Sequence, residues 1–152
     1  MDSLDLQVLV QARDWREQGH AVWLVTVLET WGSAPRPPGA LLAMRDDGLV
    51  VGSVSGGCVE DDLIDRVRKG ERVATPSLVS YGVSKEEAAR FGLPCGGNLR
   101  LVQEPLGQTG WIGEVLERSA RATSSWRARA RPRERLGAGG AGASRRGVQL
   151  RR

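Results

Sequence analysis

The alternation of apolar and polar positions in the first third of the chain predicts a helix, a strand and a hairpin in that order. Residues 3–19 carry apolar side chains at helical spacing, which predicts an amphipathic helix. Residues 20–30 form a dense apolar and β-branched run, typical of a strand buried on both faces. Residues 41–54 contain two shorter apolar runs, and Asp47-Gly48 between them favours a tight hairpin turn.

The pattern continues through the second third of the chain. Residues 59–70 place apolar side chains on one helical face, with acids in the first turn and bases in the last, which matches the helix dipole. Residues 77–83 predict a strand, residues 84–92 a short helix with a capping box, and a further strand is expected to end at Pro105. Helices interleaved with strands predict an α/β fold: a single small domain of mixed sheet with flanking helices.

Charge divides the chain of 152 residues into two parts. Residues 1–118 hold 12 Lys and Arg against 17 Asp and Glu, whereas residues 119–152 hold 10 against 1. The basic isoelectric point therefore belongs to the tail, and we expect no nucleic-acid partner for the body of the protein. Because residues 119–152 are rich in Arg, Ala, Gly and Ser with few aliphatic side chains, we predict that they form a disordered basic tail.

Two other interpretations of the tail remain open at this point. One is an arm for nucleic acid or a membrane surface, which its arginines would serve. The other is a frameshifted remnant of a longer protein, because GC-rich DNA read out of frame yields this composition.

The N-terminus and the cysteine count bear on the compartment. The acidic start lacks the basic and apolar regions of a signal peptide, and no apolar run approaches the roughly 20 residues that span a bilayer. Two cysteines and one histidine are too few for a four-ligand zinc site. We therefore expect a cytoplasmic protein with reduced thiols and no membrane contact.

Three loops combine glycine or proline with residues that carry chemistry. They span residues 31–40, 53–60 and 92–98, and each adjoins a predicted strand. Ligands of open α/β sheets bind at one edge of the sheet, so we expect the three loops to gather there.

The middle loop holds one of the two cysteines where a helix begins. Gly56 and Gly57 let backbone amides approach an anion closely, and the helix dipole favours a thiolate at Cys58. Ser55 is a further hydrogen-bond donor, and Glu60 is a candidate base for the thiol. A buried structural cysteine after a tight turn is the alternative.

The other two loops extend this theme. Cys95 is followed by Gly96 and Gly97, which repeats the glycine-cysteine chemistry in the third loop. In the first loop, prolines on both sides of Arg36 restrict the backbone, which prepares the guanidinium to bind a phosphate. The alternatives are an incidental cysteine in a turn, a Cys58–Cys95 disulfide and a solvent-exposed arginine.

Four segments in order, "GSAPRPPGA", "GSVSGGCVE", "SYGVS" and "GLPCGG", closely resemble the N-terminal domain of the XdhC/CoxI family. The resemblance covers roughly residues 5–106. It implies a chaperone, not an enzyme, that binds molybdenum cofactor (molybdopterin) while a cysteine desulfurase installs its sulfido ligand. The chaperone then helps to insert the cofactor into an apo molybdenum hydroxylase of the xanthine dehydrogenase or CO dehydrogenase type.

On this interpretation, an anion site and a metal site lie side by side. We assign Arg36, Gly56 and Gly57 to the cofactor's phosphate and the thiols of Cys58 and Cys95 to its metal end. Ser55, Gly96 and Gly97 complete the predicted cofactor-binding set. The alternative is a thiol-dependent sulfur-transfer or redox enzyme that uses Cys58.

One departure from the family matters for assembly. Members typically continue into a C-terminal Rossmann-type domain, whereas here the arginine-rich segment follows soon after residue 105. A surface that such a domain would cover is then expected to favour a homo-oligomer.

Overall fold

A computed structural model describes residues 2–32, 36–82 and 98–129. In these residues the chain forms three helices and five strands. In chain order they are α1 (Ser3–Glu17), β1 (Val22–Trp31), β2 (Leu41–Arg45), β3 (Val50–Gly52), α2 (Cys58–Arg68), β4 (Ser77–Tyr81), β5 (Asn98–Pro105) and α3 (Gly110–Arg129).

The five strands form one sheet in the order β3-β2-β1-β5-β4. The predicted α/β class with flanking helices is confirmed, but every neighbouring pair in the described sheet is antiparallel where a mixed sheet was expected. The reason lies in the path of α2. It connects β3 with β4, which run in the same direction but lie at opposite edges with three strands between them.

Both faces of the sheet are covered, which explains the dense apolar run of β1. Trp23, Val25 and Val27 point to the face that α2 covers, and Val22 and Leu24 point to the face that α1 covers. The prediction of a strand buried on both faces is therefore confirmed for the first half of β1. The far end is more open, since Trp31 is 49% exposed.

The local signals in the sequence mark where these elements begin and end. Asp2 caps α1 by accepting the amide of Leu4, and the predicted hairpin between β2 and β3 turns at Gly48, whose φ is 88°. The predicted helix at 84–92 lies outside the described residues.

Helix α3 crosses the boundary that composition predicts between residues 118 and 119. Residues 119–129 are helical, where an unstructured tail was expected. Two ion pairs, each between residues four positions apart, support this helix: Glu114–Arg118 and Glu117–Arg121. Ile112 anchors its first turn in the core. Residues 130–152 lie outside the described part of the chain. None of the helices in the described ranges is both long and apolar enough to cross a membrane.

Candidate functional site at one edge of the sheet

The register of the sheet brings the described ends of all three candidate loops together at one end of the strands. Trp31 at the end of β1 pairs with Asn98 at the start of β5. Gly52 at the end of β3 pairs with Leu42 near the start of β2. We call this end of the strands, with the adjoining residues 53–57, the loop edge.

A buried carboxylate organises residues 53–57. Glu60 lies in the first turn of α2, and its Oε1 accepts the amides of Val54 at 2.7 Å and Ser55 at 2.8 Å. The same oxygen accepts the Ser53 hydroxyl at 2.8 Å. Oε2 accepts the Gly57 amide at 2.9 Å and the hydroxyl of Ser55. With 7% of its surface exposed, Glu60 is held by five protein donors.

These donors decide the ionisation of Glu60. Burial on its own would raise the pKa of the carboxyl group, but the hydrogen bonds from the Ser55 hydroxyl and amide and from the Val54 amide outweigh it. Together they lower the pKa to about 2. A carboxylate this acidic, with both oxygens already bonded, is a poor proton acceptor. Glu60, named from the sequence as a candidate base for Cys58, is therefore poorly suited to that role.

The amides predicted to hold an external anion donate within the protein. The Gly57 amide bonds to Glu60, and the Gly56 amide bonds to the Ser53 hydroxyl at 3.0 Å. Ser55 donates to Glu60 and accepts the Val59 amide at 3.2 Å, so its hydroxyl satisfies one of the amides in the first turn of α2. Assignment of Gly56, Gly57 and Ser55 to a ligand stays a prediction, and it requires these internal bonds to be exchanged for bonds to the ligand.

Arg36 reaches the loop edge but is directed at the protein's own groups. Its Nε donates to the carbonyl of Ser53 at 3.2 Å, and its Nη2 lies 3.4 Å from Oδ1 of Asp5. Asp5 is 7% exposed and also accepts the Leu41 amide at 3.1 Å. The guanidinium therefore joins α1 to the loop edge. A phosphate would have to compete with Asp5 for it.

Sequence reasoning missed Asp5, although the sequence contains a signal for it. Asp5 shares the buried stripe of α1 with Val8, Leu9 and Ala12, at spacings of three, four and seven residues. An acid on an otherwise apolar stripe needs a buried partner, and Arg36 is that partner.

Sequence reasoning also missed the contact between Tyr81 and Asp62. The Tyr81 hydroxyl donates to Oδ2 of Asp62 at 2.8 Å and so joins the end of β4 to α2 beside the loop edge. Burial, reinforced by the hydrogen bond to Asp62 and by its negative charge, raises the pKa of the Tyr81 phenol well above its usual value. No local pattern in the sequence indicates this contact, because the two residues lie on elements that meet only in the fold.

The two cysteines differ in how much of them the structure describes. Cys58 is the first residue of α2, within one residue of the predicted start, while its side chain lies outside what is described. Cys95, Gly96 and Gly97 lie outside the described residues. Convergence of the two thiols on one hollow therefore stays a prediction. Among residues 2–32, 36–82 and 98–129, no three His, Cys, Asp or Glu side chains group so as to hold a metal ion.

The described chain is thus an α/β domain in which residues 53–58, the glycine-cysteine loop, close over the internal carboxylate of Glu60. Residues 15–82 match the XdhC and CoxI family, and the family resemblance predicted from the loops is confirmed. The matched segment contains Arg36, Glu60 and the whole of the glycine-cysteine loop between them.

Proteins from several bacteria are similar to this chain. The molybdenum cofactor insertion chaperone PaoD of Escherichia coli is 34% identical over 109 residues, 66% of this chain. A Bacillus subtilis protein described as a probable xanthine dehydrogenase subunit is 34% identical over 82 residues, 54% of this chain. A solved structure described as a xanthine dehydrogenase from Bacillus halodurans has a TM-score of 0.59 at 26% identity and covers 74% of this chain.

The chain spans only a fraction of the length of these proteins. It covers 31% of PaoD, 24% of the Bacillus subtilis protein and 34% of the Bacillus halodurans chain.

Proposed function

We propose that this chain binds molybdenum cofactor as an accessory protein of a molybdenum hydroxylase. The observation that carries the proposal is that the family segment, residues 15–82, contains the glycine-cysteine loop and Arg36 and places both at one edge of the sheet. The likeness to an insertion chaperone over 66% of the chain supports the same role.

In this proposal the loop edge binds the metal end of the cofactor rather than its phosphate. Cys58 begins α2 directly beside the carboxylate-held loop, and a thiolate is a ligand that suits a soft metal centre. The phosphate is less well served, because Gly56, Gly57 and Arg36 already donate inside the protein. In this proposal, Cys58 and Cys95 face the metal, and the phosphate binds either after these bonds exchange or through residues outside the described ranges.

The partners belong to the proposal as well. An apo hydroxylase of the xanthine dehydrogenase type would receive the cofactor, and a cysteine desulfurase would supply the sulfur of its terminal ligand. The name of the Bacillus subtilis relative supports the first of these. A cytoplasmic site of action and self-association of the chain complete the proposal. Neither the chain nor its proposed site carries out a reaction of its own in this scheme.

Cofactor retention tests the proposal directly. The full chain is purified from cells that make molybdenum cofactor, and molybdenum and pterin are quantified per chain by mass spectrometry and by fluorescence of the oxidised pterin. We expect both to co-purify with the unmodified chain and to fall severalfold in Cys58→Ser and Cys95→Ser. Asp61→Asn, which changes an exposed acid in the first turn of α2, is the matched control and is expected to retain the cofactor.

Two outcomes would contradict the proposal in different ways. Absence of pterin from the unmodified chain would reject cofactor binding by this chain. Equal retention in the chain and both serine variants would keep the binding but remove the thiols from the site.

A further inference from the structure

Residues 53–57 are wrapped around a negative charge that the protein itself provides. The backbone of this segment presents the amides of Val54, Ser55 and Gly57 to one carboxylate at 2.7–2.9 Å. Convergent backbone amides of this kind form an anion-binding nest. Here the nest is filled by Glu60.

The local sequence explains why the loop needs this anion. Gly56 and Gly57 have φ values of 90° and 144°, in the region that favours glycine, and two adjacent glycines leave the backbone with large conformational freedom. A Cβ on Gly57 would meet no atom within 4 Å, so packing around that residue does not restrict it. Five hydrogen bonds to Glu60 hold the loop in one conformation. The bonds from the Gly56 amide to the Ser53 hydroxyl and from Arg36 to the Ser53 carbonyl add to them.

We propose that Glu60 is a positioning residue of the cofactor site, whose carboxylate fills the nest and thereby fixes where Cys58 stands at the start of α2. This inference rests on the proposed function only for the identification of the site as a cofactor site. The nest and its effect on Cys58 exist whether or not a cofactor binds.

The chemistry of the nest makes the proposal specific to a carboxylate. In Glu60→Gln one acceptor oxygen remains, but the amino group that replaces Oε2 faces the Gly57 amide, so that two donors oppose each other. In Glu60→Ala the nest loses its anion and leaves a space that a small carboxylate such as formate fits. Asp61, the next acid on α2, is exposed and serves as a control for the loss of one negative charge near Cys58.

The test measures the reactivity of Cys58 in the folded chain. Cys95→Ser leaves Cys58 as the single thiol, because the sequence has two cysteines. In that background we expect iodoacetamide to alkylate Cys58 severalfold faster in Glu60→Gln and Glu60→Ala than in the reference chain. Asp61→Asn is expected to change the rate by less than about twofold. Circular dichroism verifies that each variant is folded at the temperature of the assay.

A second experiment adds formate to Glu60→Ala. It tests the proposal even if this variant folds poorly. If Glu60→Ala is folded, formate is expected to slow alkylation back toward the reference rate. If it is partly unfolded, formate is expected to raise its melting temperature more than that of the reference chain or of Asp61→Asn. A general salt effect is removed by comparison with chloride at equal ionic strength.

The results separate this inference from the proposed function. Equal alkylation rates in Glu60→Gln and the reference chain, or no effect of formate on Glu60→Ala, would overturn the positioning role. Formate rescue, combined with absence of molybdenum and pterin from the unmodified chain, would uphold the nest and reject the cofactor.

Discussion

Asp5 and Arg36 form an ion pair at the start of α1, with 3.4 Å between Oδ1 and Nη2, and only 10% and 19% of their side chains are exposed. The same carboxylate oxygen accepts the Leu41 amide, and the same guanidinium donates to the Ser53 carbonyl. One pair of charges therefore connects α1, the start of β2 and the loop edge. An arginine that the sequence places in a ligand site acts first as part of the scaffold.

Removal of this arginine should destabilise the fold. Arg36→Ala leaves the Asp5 carboxylate buried with one remaining amide donor, and we expect the free energy of unfolding to fall by roughly 2 kcal/mol or more. Arg36→Lys keeps a positive charge but loses the planar fork that reaches both Asp5 and Ser53, so a smaller loss is expected. Urea denaturation followed by tryptophan fluorescence gives both values.

The pair Arg13–Asp14 provides a matched control for this prediction. Its side chains are 31% and 42% exposed, so that solvent screens the interaction and Arg13→Ala should lower stability by less than about 1 kcal/mol. Similar losses in Arg36→Ala and Arg13→Ala would mean that burial of Asp5 has no energetic consequence.

Glu60 should make the stability of the domain sensitive to acid. Its pKa is lowered to about 2 in the folded chain, against 4.5 as the ordinary value. A lowered folded-state pKa contributes stability above pH 4.5, and that contribution is lost as the pH falls toward 2. The shift corresponds to roughly 3 kcal/mol. We expect the free energy of unfolding to fall by about that amount across this pH range.

Glu60→Gln removes the titrating group and serves as the comparison. It should be less stable than the unmodified chain at neutral pH and should lose less stability between pH 4.5 and 2. Parallel acid profiles for the two chains would show that other carboxylates govern the acid limb.

Tyr81 offers a spectroscopic measurement of the contact between β4 and α2. It is the single tyrosine of the chain, so the ultraviolet absorbance of tyrosinate reports this residue alone. Because burial and the hydrogen bond to Asp62 raise the pKa of the phenol, its titration midpoint in the folded chain should lie well above the ordinary value near 10. A raised folded-state pKa means that stability is present below pH 10 and is lost as the pH rises above it.

Two substitutions in α2 distinguish the causes of this shift. Asp62→Asn removes the charge beside the phenol and should lower the titration midpoint while burial remains. Asp65→Asn breaks a pair with Lys69 on the exposed side of the same helix and should leave the midpoint unchanged. An unchanged titration midpoint in Asp62→Asn would assign the whole shift to burial.

The comparison of sequence and structure separates local from long-range information. The strand β1, the hairpin at Gly48 and the dipole-matched helix α2 were predicted because their signals lie within a few neighbouring residues. The antiparallel order was not predicted, because it depends on α2 crossing from one edge of the sheet to the other.

The same distinction applies to the candidate site. The loop and its glycines were found from the sequence, but the occupant of the loop was not. Two adjacent glycines before a helix indicate an anion, and Glu60, three residues after Gly57, carries the local capping-box signal that could have identified it as the occupant. The partner of Arg36 was missed for a different reason, since Asp5 lies 31 residues away in the chain.

Gly52 is the residue of the loop edge at which any side chain should be most damaging. Its φ is +90°, and a Cβ there would lie 2.3 Å from the Leu41 carbonyl oxygen and 2.5 Å from Cγ2 of Val8. The first of these atoms is backbone and cannot move away without breaking the β2–β3 pairing. Gly52→Ala should therefore lower the free energy of unfolding by about 3 kcal/mol or more, since steric overlap adds to the backbone strain.

Gly70→Ala is the matched control, because Gly70 has a similar φ of +85° but no atom within 4 Å of the added methyl group. That variant should show the backbone strain alone, about 1–2 kcal/mol. Thermal and urea unfolding of the two variants measures the difference, and an equal loss in both would show that β3 shifts to accommodate the methyl group.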